Sequence, residues 1–398
     1  MKNNQNVIVA IVLSFIVLMG WNYFVTGPQM EAERQRQAAE QAKVADAVPG
    51  TVTGAQAPAA APGAPSVPGA PAVDPLAPVV PSSIDPGIPA PPSATAVTRD
   101  AVLASGERVR IETPSLVGSI NLTGGRIDDL LLVDYHVTVD PSSPLVELFS
   151  PIGTERPYFA EVGFVPVADP VTGQIPAGIV VPTSQTLWQA DGGPLAPGND
   201  VTLTFDNGAG LVFRRIFSLD ENFLFTIRQS VENTGSTPVA LTPYGVVSRS
   251  GLPATAGYYI LHEGLIGFFG DGGLSEIDYG DFDDGASITP APASTGWIGI
   301  TDKYWAAALV PPTGTTFQPN FRRIGTEAQP TFQSSYFGDP VTVAPGATAE
   351  TTTRLFAGAK VTALLDRYSA EFGIAKFDLL IDWGWFFFIT KPIFQLID

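Results

Sequence analysis

The chain has 398 residues with a formal net charge of -18, and only 21 of its residues are Lys or Arg. That balance excludes a nucleic-acid binder, whose phosphate contacts need clustered cations. With no cysteine and two histidines, His136 and His262, it also excludes disulfides, thiolate chemistry and a His-rich metal cluster, and no cofactor is expected.

Val7–Val25 carries no charge and is about long enough to cross a bilayer. Its Leu, Ile, Val and Phe side chains favour insertion by about 5 kcal/mol as an upper bound, which outweighs Asn22. Met19-Gly20-Trp21-Asn22 offers no small-x-small cleavage site, so residues 1–28 are predicted to be an uncleaved anchor rather than a signal peptide. Lys2 precedes the span while Arg34, Arg36 and Lys43 follow it, so flanking charge does not fix the orientation.

Residues 29–97 form the expected linker. Met30–Val44 mixes Glu31, Glu33, Arg34, Arg36, Glu40 and Lys43 with Ala and Gln, the composition of a short exposed helix. From Pro49 to Ala96 the composition changes to Pro, Ala, Gly, Val and Ser, with Asp74 and Asp85 the only charges. Its prolines favour polyproline-like backbone, giving a reach between roughly 40 Å as a coil and 150 Å fully extended.

From Thr98 to Gly358 the hydrophobic period becomes two. Val109 and Ile111 alternate with Arg108, Arg110 and Glu112; Val201, Leu203 and Phe205 alternate with Thr202, Thr204 and Asp206; Phe223, Phe225 and Ile227 continue the pattern. Asp206-Asn-Gly-Ala-Gly210 predicts a hairpin, and Ala344-Pro-Gly346 is expected to join a second pair of strands. The fold class is mainly β, one large antiparallel sandwich or two sheets stacked on a continuous core.

Residues 359–398 return to helical spacing. Leu364, Leu365, Tyr368 and Phe372 share one face of a helix over Lys360–Phe372. Phe377, Leu380, Ile381, Gly384, Trp385, Phe388, Ile389, Ile393 and Leu396 then predict an amphipathic helix. Its polar breaks suit a membrane surface better than a span, and aromatic rings settle at headgroup level. The residues assigned to that contact are Trp383, Trp385, Phe386, Phe388, Lys391 and Pro392.

Four motifs carry side chains suited to chemistry. Gly124-Gly125 is a tight turn, since no Gly-x-Gly-x-x-Gly and no helix follow. His262-Glu263 has the chemistry of a general acid and base, but a solitary histidine in a β domain is more often structural. Asp271, Glu276, Asp278, Asp281, Asp283 and Asp284 read as a solvated acidic loop, their spacing unlike an EF-hand. Trp297, Tyr304 and Trp305 have the makings of a stacking platform, although buried strand aromatics are commoner. No Ser-His-Asp set, metal set or nucleotide motif emerges, so no enzyme is expected.

Three stretches resemble the YidC family of bacterial membrane protein insertases. They are Asn3–Ser14 with Trp21-Asn-Tyr-Phe24; Gly296-Trp-Ile-Gly-Ile-Thr-Asp-Lys-Tyr-Trp-Ala-Ala-Ala-Leu309; and Phe377–Asp398, above all Asp382-Trp-Gly-Trp-Phe386 and Thr390-Lys-Pro392. The resemblance implies a Gram-negative inner-membrane protein with a cytoplasmic amino terminus and a periplasmic β-supersandwich similar to sugar mutarotases. The last stretch would be the amphipathic helix that precedes the insertase core. Family members continue with five more spans around a hydrophilic groove, and the chain stops at Asp398, so this polypeptide alone is not expected to insert a client.

The implied partners are the lipid bilayer, nascent membrane proteins met through that core, and Sec translocon components including SecD and SecF. The function expected is a share in an insertase and chaperone for integral membrane proteins. The alternative is a membrane-tethered periplasmic carbohydrate-binding or mutarotase-like protein.

Overall fold

The computed structural model describes residues 97–168, 175–176, 178–253, 261–282, 286–382 and 384. All belong to the second of the chain's two units, Val73–Asp398. The expected anchor, the linker up to Ala96 and the six membrane-contact residues Trp383 to Pro392 lie outside the described residues. Among the described residues no helix is long and apolar enough to cross a membrane.

A short helix, α1 (Arg99–Leu103), precedes the first strand, so the β pattern begins ten residues later than the sequence suggested, at Arg108 rather than Thr98. The strands then build two antiparallel sheets. The ten-stranded sheet runs in the order 108–112, 116–121, 126–136, 158–166, 239–250, 330–338, 317–325 and 287–288, with Leu145–Phe149 and Val341–Val343 attached at its side. The nine-stranded sheet runs 274–278, 264–268, 297–301, 305–310, 348–359, 224–233, 211–219, 201–206 and 189–191. One continuous core joins both, from Ile111, Leu130 and Phe149 on the first sheet to Phe217, Phe225 and Phe356 on the second. The inner faces are apolar because successive side chains on a strand point to opposite sides. Leu211–Leu219 follows this strictly, with every second residue buried.

One inward position in that strand is Arg215, which a packed apolar core does not accept without partners. Its guanidinium lies over the Trp188 ring at 4.3 Å and donates to the carbonyls of Gly124 and Gly125 at 2.9 and 3.1 Å. The Gly124-Gly125 pair is thus the predicted tight turn, both residues at positive φ, and its carbonyls receive a buried cation. A second buried charge sits nearby in the first sheet: Arg126 pairs with Glu161, and Glu161 also accepts the Tyr244 hydroxyl at 2.5 Å. Burial and the adjacent Glu161 carboxylate push the Tyr244 phenol well above its ordinary range.

The predicted Asp206–Gly210 hairpin forms, pairing Val201–Asp206 with Leu211–Leu219. Ala344-Pro-Gly346 joins two strands as expected, and they belong to different sheets. Val341–Val343 pairs with Val239–Leu241 in the first sheet, whereas Thr348–Ala359 pairs with Leu224–Glu232 and Trp305–Val310 in the second. The turn is therefore a crossing between layers rather than a hairpin, a choice that the local turn signal does not encode.

Helix α2 (Thr362–Phe372) buries Leu364, Leu365 and Tyr368 as predicted, and Gly373 ends it in the left-handed conformation. The expected helical face beginning at Phe377 is not continuous. Phe377–Leu380 is a single 3-10 turn, Ile381 is extended, and Gly384 takes φ +68°. The core takes up the apolar residues at this end: Phe377 and Leu380 are buried in the sandwich and are not available to a membrane surface.

Candidate functional site

The last described residues pack on a corner built by the Gly296–Leu309 motif. Gly296 (φ +141°) brings its Cα so close to Phe268 that an added Cβ would lie 1.8 Å from the Phe268 carbonyl oxygen, which limits this position to glycine. Gly299 packs equally tightly, with the Ala307 carbonyl 2.1 Å from the place of a Cβ. Those glycines let Trp297–Thr301 lie close between its neighbouring strands and hold Trp297 fully buried. The Trp297 indole donates to the Ala375 carbonyl at 3.1 Å, and its ring meets Phe377 edge-on at 5.7 Å. Phe377 also contacts Phe356 of the adjacent strand at 5.6 Å, so the exit segment is clamped between aromatic rings.

Five residues on, Asp382 forms a polar counterpart to this clamp. One carboxylate oxygen accepts the His262 backbone N–H at 2.9 Å, and the other accepts the Gly384 N–H at 2.7 Å. Lys360 lies within the field of Asp382, Asp302 and Glu263 and donates to Thr301 Oγ1 at 3.0 Å. Burial lowers the Lys360 ammonium to about 8, against the pull of those three carboxylates. Glu276 is raised by burial and by Asp382 and Asp278, partly offset by His262.

His262 and Glu263 are committed to structure within this corner. The His262 ring contacts Asp278 Oδ1 and the Leu265 carbonyl, both at 3.0 Å, and Glu263 accepts the Lys303 backbone N–H at 3.0 Å. Within the acidic loop, Asp278 and Asp281 form a capping box over the 3-10 turn Tyr279–Asp281, whose Tyr279 is buried. Among the described residues no group of acidic and histidine side chains is arranged to hold a metal ion.

Beside the corner opens a cleft of about 870 Å³, whose lining includes Val97 and Arg99 from the start of the domain, Glu155, Arg156 and Tyr158, Arg249–Gly251 and Asp302–Trp305. Its floor is the Arg249–Asp302 pair at 2.6 Å, with Tyr279 at 3.3 Å and the Arg249 guanidinium 4.8 Å over the Tyr158 ring. Burial opposes the Arg249 charge, but Tyr279, Asp302 and Tyr158 together hold its pKa raised. One wall is aromatic: Tyr304 meets Trp305 at 5.8 Å, and Tyr135, outside the lining, backs Trp305 at 5.1 Å. Of the three aromatics read from sequence, Trp297 is core, whereas Tyr304 is 57% exposed and Trp305 half-buried on the cleft. Sequence reasoning missed Tyr158, Arg249 and Asp302, which come from three separate strands and loops and share no local motif.

Residues 108–396 match the family model described as the YidC periplasmic domain. The chain is 47% identical to the membrane protein insertase YidC of Methylorubrum extorquens over 412 aligned residues, covering all of this chain and 62% of that relative. It is 48% identical to the insertase of the same name from Methylobacterium radiotolerans and 45% identical to that of Bradyrhizobium diazoefficiens, again spanning 62% of their length. Among solved structures, a putative aldose 1-epimerase from Escherichia coli K12 is 13% identical with a TM-score of 0.40, covering 63% of this chain and 98% of that one. A galactose mutarotase related enzyme from Lactobacillus acidophilus is 10% identical with a TM-score of 0.42, covering 63% of this chain and 97% of that one.

Proposed function

The chain belongs to the YidC family of membrane protein insertases, and from that premise we propose that it supplies the periplasmic domain of an inner-membrane insertase and chaperone. The relatives are named for inserting membrane proteins rather than for an enzymatic conversion. The whole protein would move hydrophobic segments of nascent membrane proteins into the bilayer, alone or beside the Sec translocon. The domain described here would lie in the periplasm, tethered by Val7–Val25, with the amino terminus in the cytoplasm.

The share of this domain is to mount the segment that follows it. The observation that carries this reading is the double fixing of residues 375–384, by the Trp297–Phe377–Phe356 clamp and by the carboxylate of Asp382. Burying an aromatic ring and satisfying two backbone donors in a segment seven residues ahead of Lys391 sets where the chain departs from a rigid body. Trp383, Trp385, Phe386, Phe388, Lys391 and Pro392 would then meet the bilayer surface at a fixed place relative to the sandwich.

The test is insertion of an inner-membrane client, read by protease accessibility in cells depleted of their own insertase and supplied with full-length variants. Disrupting the mount by Phe377→Ala with Asp382→Ala should slow insertion, while substitutions on the exposed Val137–Ser143 loop should not. Normal insertion by a stable, correctly localised mount variant would sink this reading.

A further inference from the structure

We propose that the cleft beside the exit corner is the seat of this chain's own linker, the proline-rich stretch Ile84–Ala96, which docks there in polyproline form. The first observation is where the chain enters. The Val97 N–H donates to the Gly153 carbonyl at 3.2 Å, and Val97 and Arg99 are themselves part of the cleft lining. Ala96 is bonded to a residue of the cleft wall, so the stretch before it starts at the cleft whatever path the rest takes. Such a tethered segment meets its seat at an effective concentration in the millimolar range without any second partner.

The second observation is chemical complementarity. Ile84-Asp-Pro-Gly-Ile-Pro-Ala-Pro-Pro-Ser-Ala-Thr-Ala96 carries one charge and four prolines. Proline-rich segments dock on aromatic-lined grooves because their backbone is already extended and loses little entropy on binding. The cleft presents that kind of wall in Tyr304 and Trp305, with Tyr304 57% exposed. Leu252, 55% exposed, lies in a second, adjoining hollow that shares Glu155, Arg156, Ser250 and Gly251 with the first. The two hollows adjoin along those four residues, so one extended peptide would run through both. Eight polyproline residues at about 3.1 Å each would span roughly 25 Å.

Docking would shorten the free tether, and any outside peptide with the same chemistry would compete for the seat.

The chain contains no cysteine, so disulfide trapping needs no background removal. Glu155→Cys, an exposed position shared by both hollows, would be combined in the full chain in its membrane with single cysteines at Asp85, Gly87, Ile88, Ala90, Ser93 and Ala94. Polyproline backbone repeats every three residues, so either the 87, 90 and 93 set or the 85, 88 and 94 set should crosslink at least about tenfold faster than the other. Tyr304→Ala should abolish the difference, and a free Ile84–Ala96 peptide should compete with it. Yields that fall smoothly with distance from position 97 would mean an undocked tether and overturn the proposal. So would a periodic pattern that survives Tyr304→Ala, or trapping of another polypeptide by Glu155→Cys in place of the linker.

Discussion

Trp297 donates its indole N–H to the carbonyl of Ala375, 78 positions later, across 3.1 Å. This bond and the rings around it join the strand Trp297–Thr301 of the second sheet to the last described segment of the chain. Phe377 completes the joint, fully buried against Trp297 and Phe356. Phe377→Ala should therefore destabilise the domain by about 3–5 kcal/mol, the cost of removing a buried aromatic ring. Equilibrium urea unfolding, followed by tryptophan fluorescence, checks it. A change below about 1 kcal/mol would mean that the ring is not part of the cooperative core.

Asp382 acts locally. Asp382→Ala leaves the His262 and Gly384 amides without their acceptor, a loss of about 1–2 kcal/mol confined to the exit segment. Hydrogen exchange of residues 377–384 should rise about 5–30-fold while the strand Leu224–Asn233 keeps its protection. Asp382→Asn should fall between, because its amide retains one acceptor oxygen.

Lys360 gives a pH signature. Its folded value of about 8 lies below the ordinary lysine value of 10.5, because burial disfavours the ammonium. Between those two values the unfolded chain holds a proton that the folded chain has released, so stability rises with pH across that window. Below pH 8 both states are protonated and the penalty is fully present. Compared with Lys360→Met, the native protein should gain on the order of 2 kcal/mol between pH 7.5 and 10, allowing for its partly solvated position. Identical pH dependence of the two proteins in denaturant titrations would refute the assignment.

Glu161 neutralises Arg126 and accepts the Tyr244 hydroxyl inside the first sheet. Glu161→Gln keeps the shape but removes the charge, leaving a buried guanidinium without its counter-ion. The expected cost is about 3–5 kcal/mol, the usual consequence of breaking one side of a buried pair. Thermal unfolding of the variant beside Glu161→Gln with Arg126→Met checks the cause, since the double change should recover part of the loss.

Much of the layer architecture was legible because alternation is a local property. Val109 with Ile111, Phe223 with Phe225, and the Asp206–Gly210 turn each report burial or pairing within a few residues. The helix ending at Gly373 was legible for the same reason, its apolar face being set by spacing alone. Ala344-Pro-Gly346 was legible as a link between two strands, but a turn of that composition serves a hairpin and a crossing between sheets equally well; which one forms depends on the strands waiting on either side. Phe377 and Leu380 fitted a helical face with the residues after them, yet the core competed for them and won.

By itself the sequence determined an acidic, cysteine-free chain with a two-residue hydrophobic period over its middle, a proline-rich stretch before it and an aromatic end after it. These follow from composition and from the repeat of the backbone, which any window of the chain displays. Only the tertiary structure decided that Asp382 would meet His262 across 120 positions, that Arg249 would pair with Asp302, and that Val97 would open onto Tyr304 and Trp305. Such meetings depend on sheet order and on the closeness that Gly296 and Gly299 permit between strands, and no local pattern carries that information.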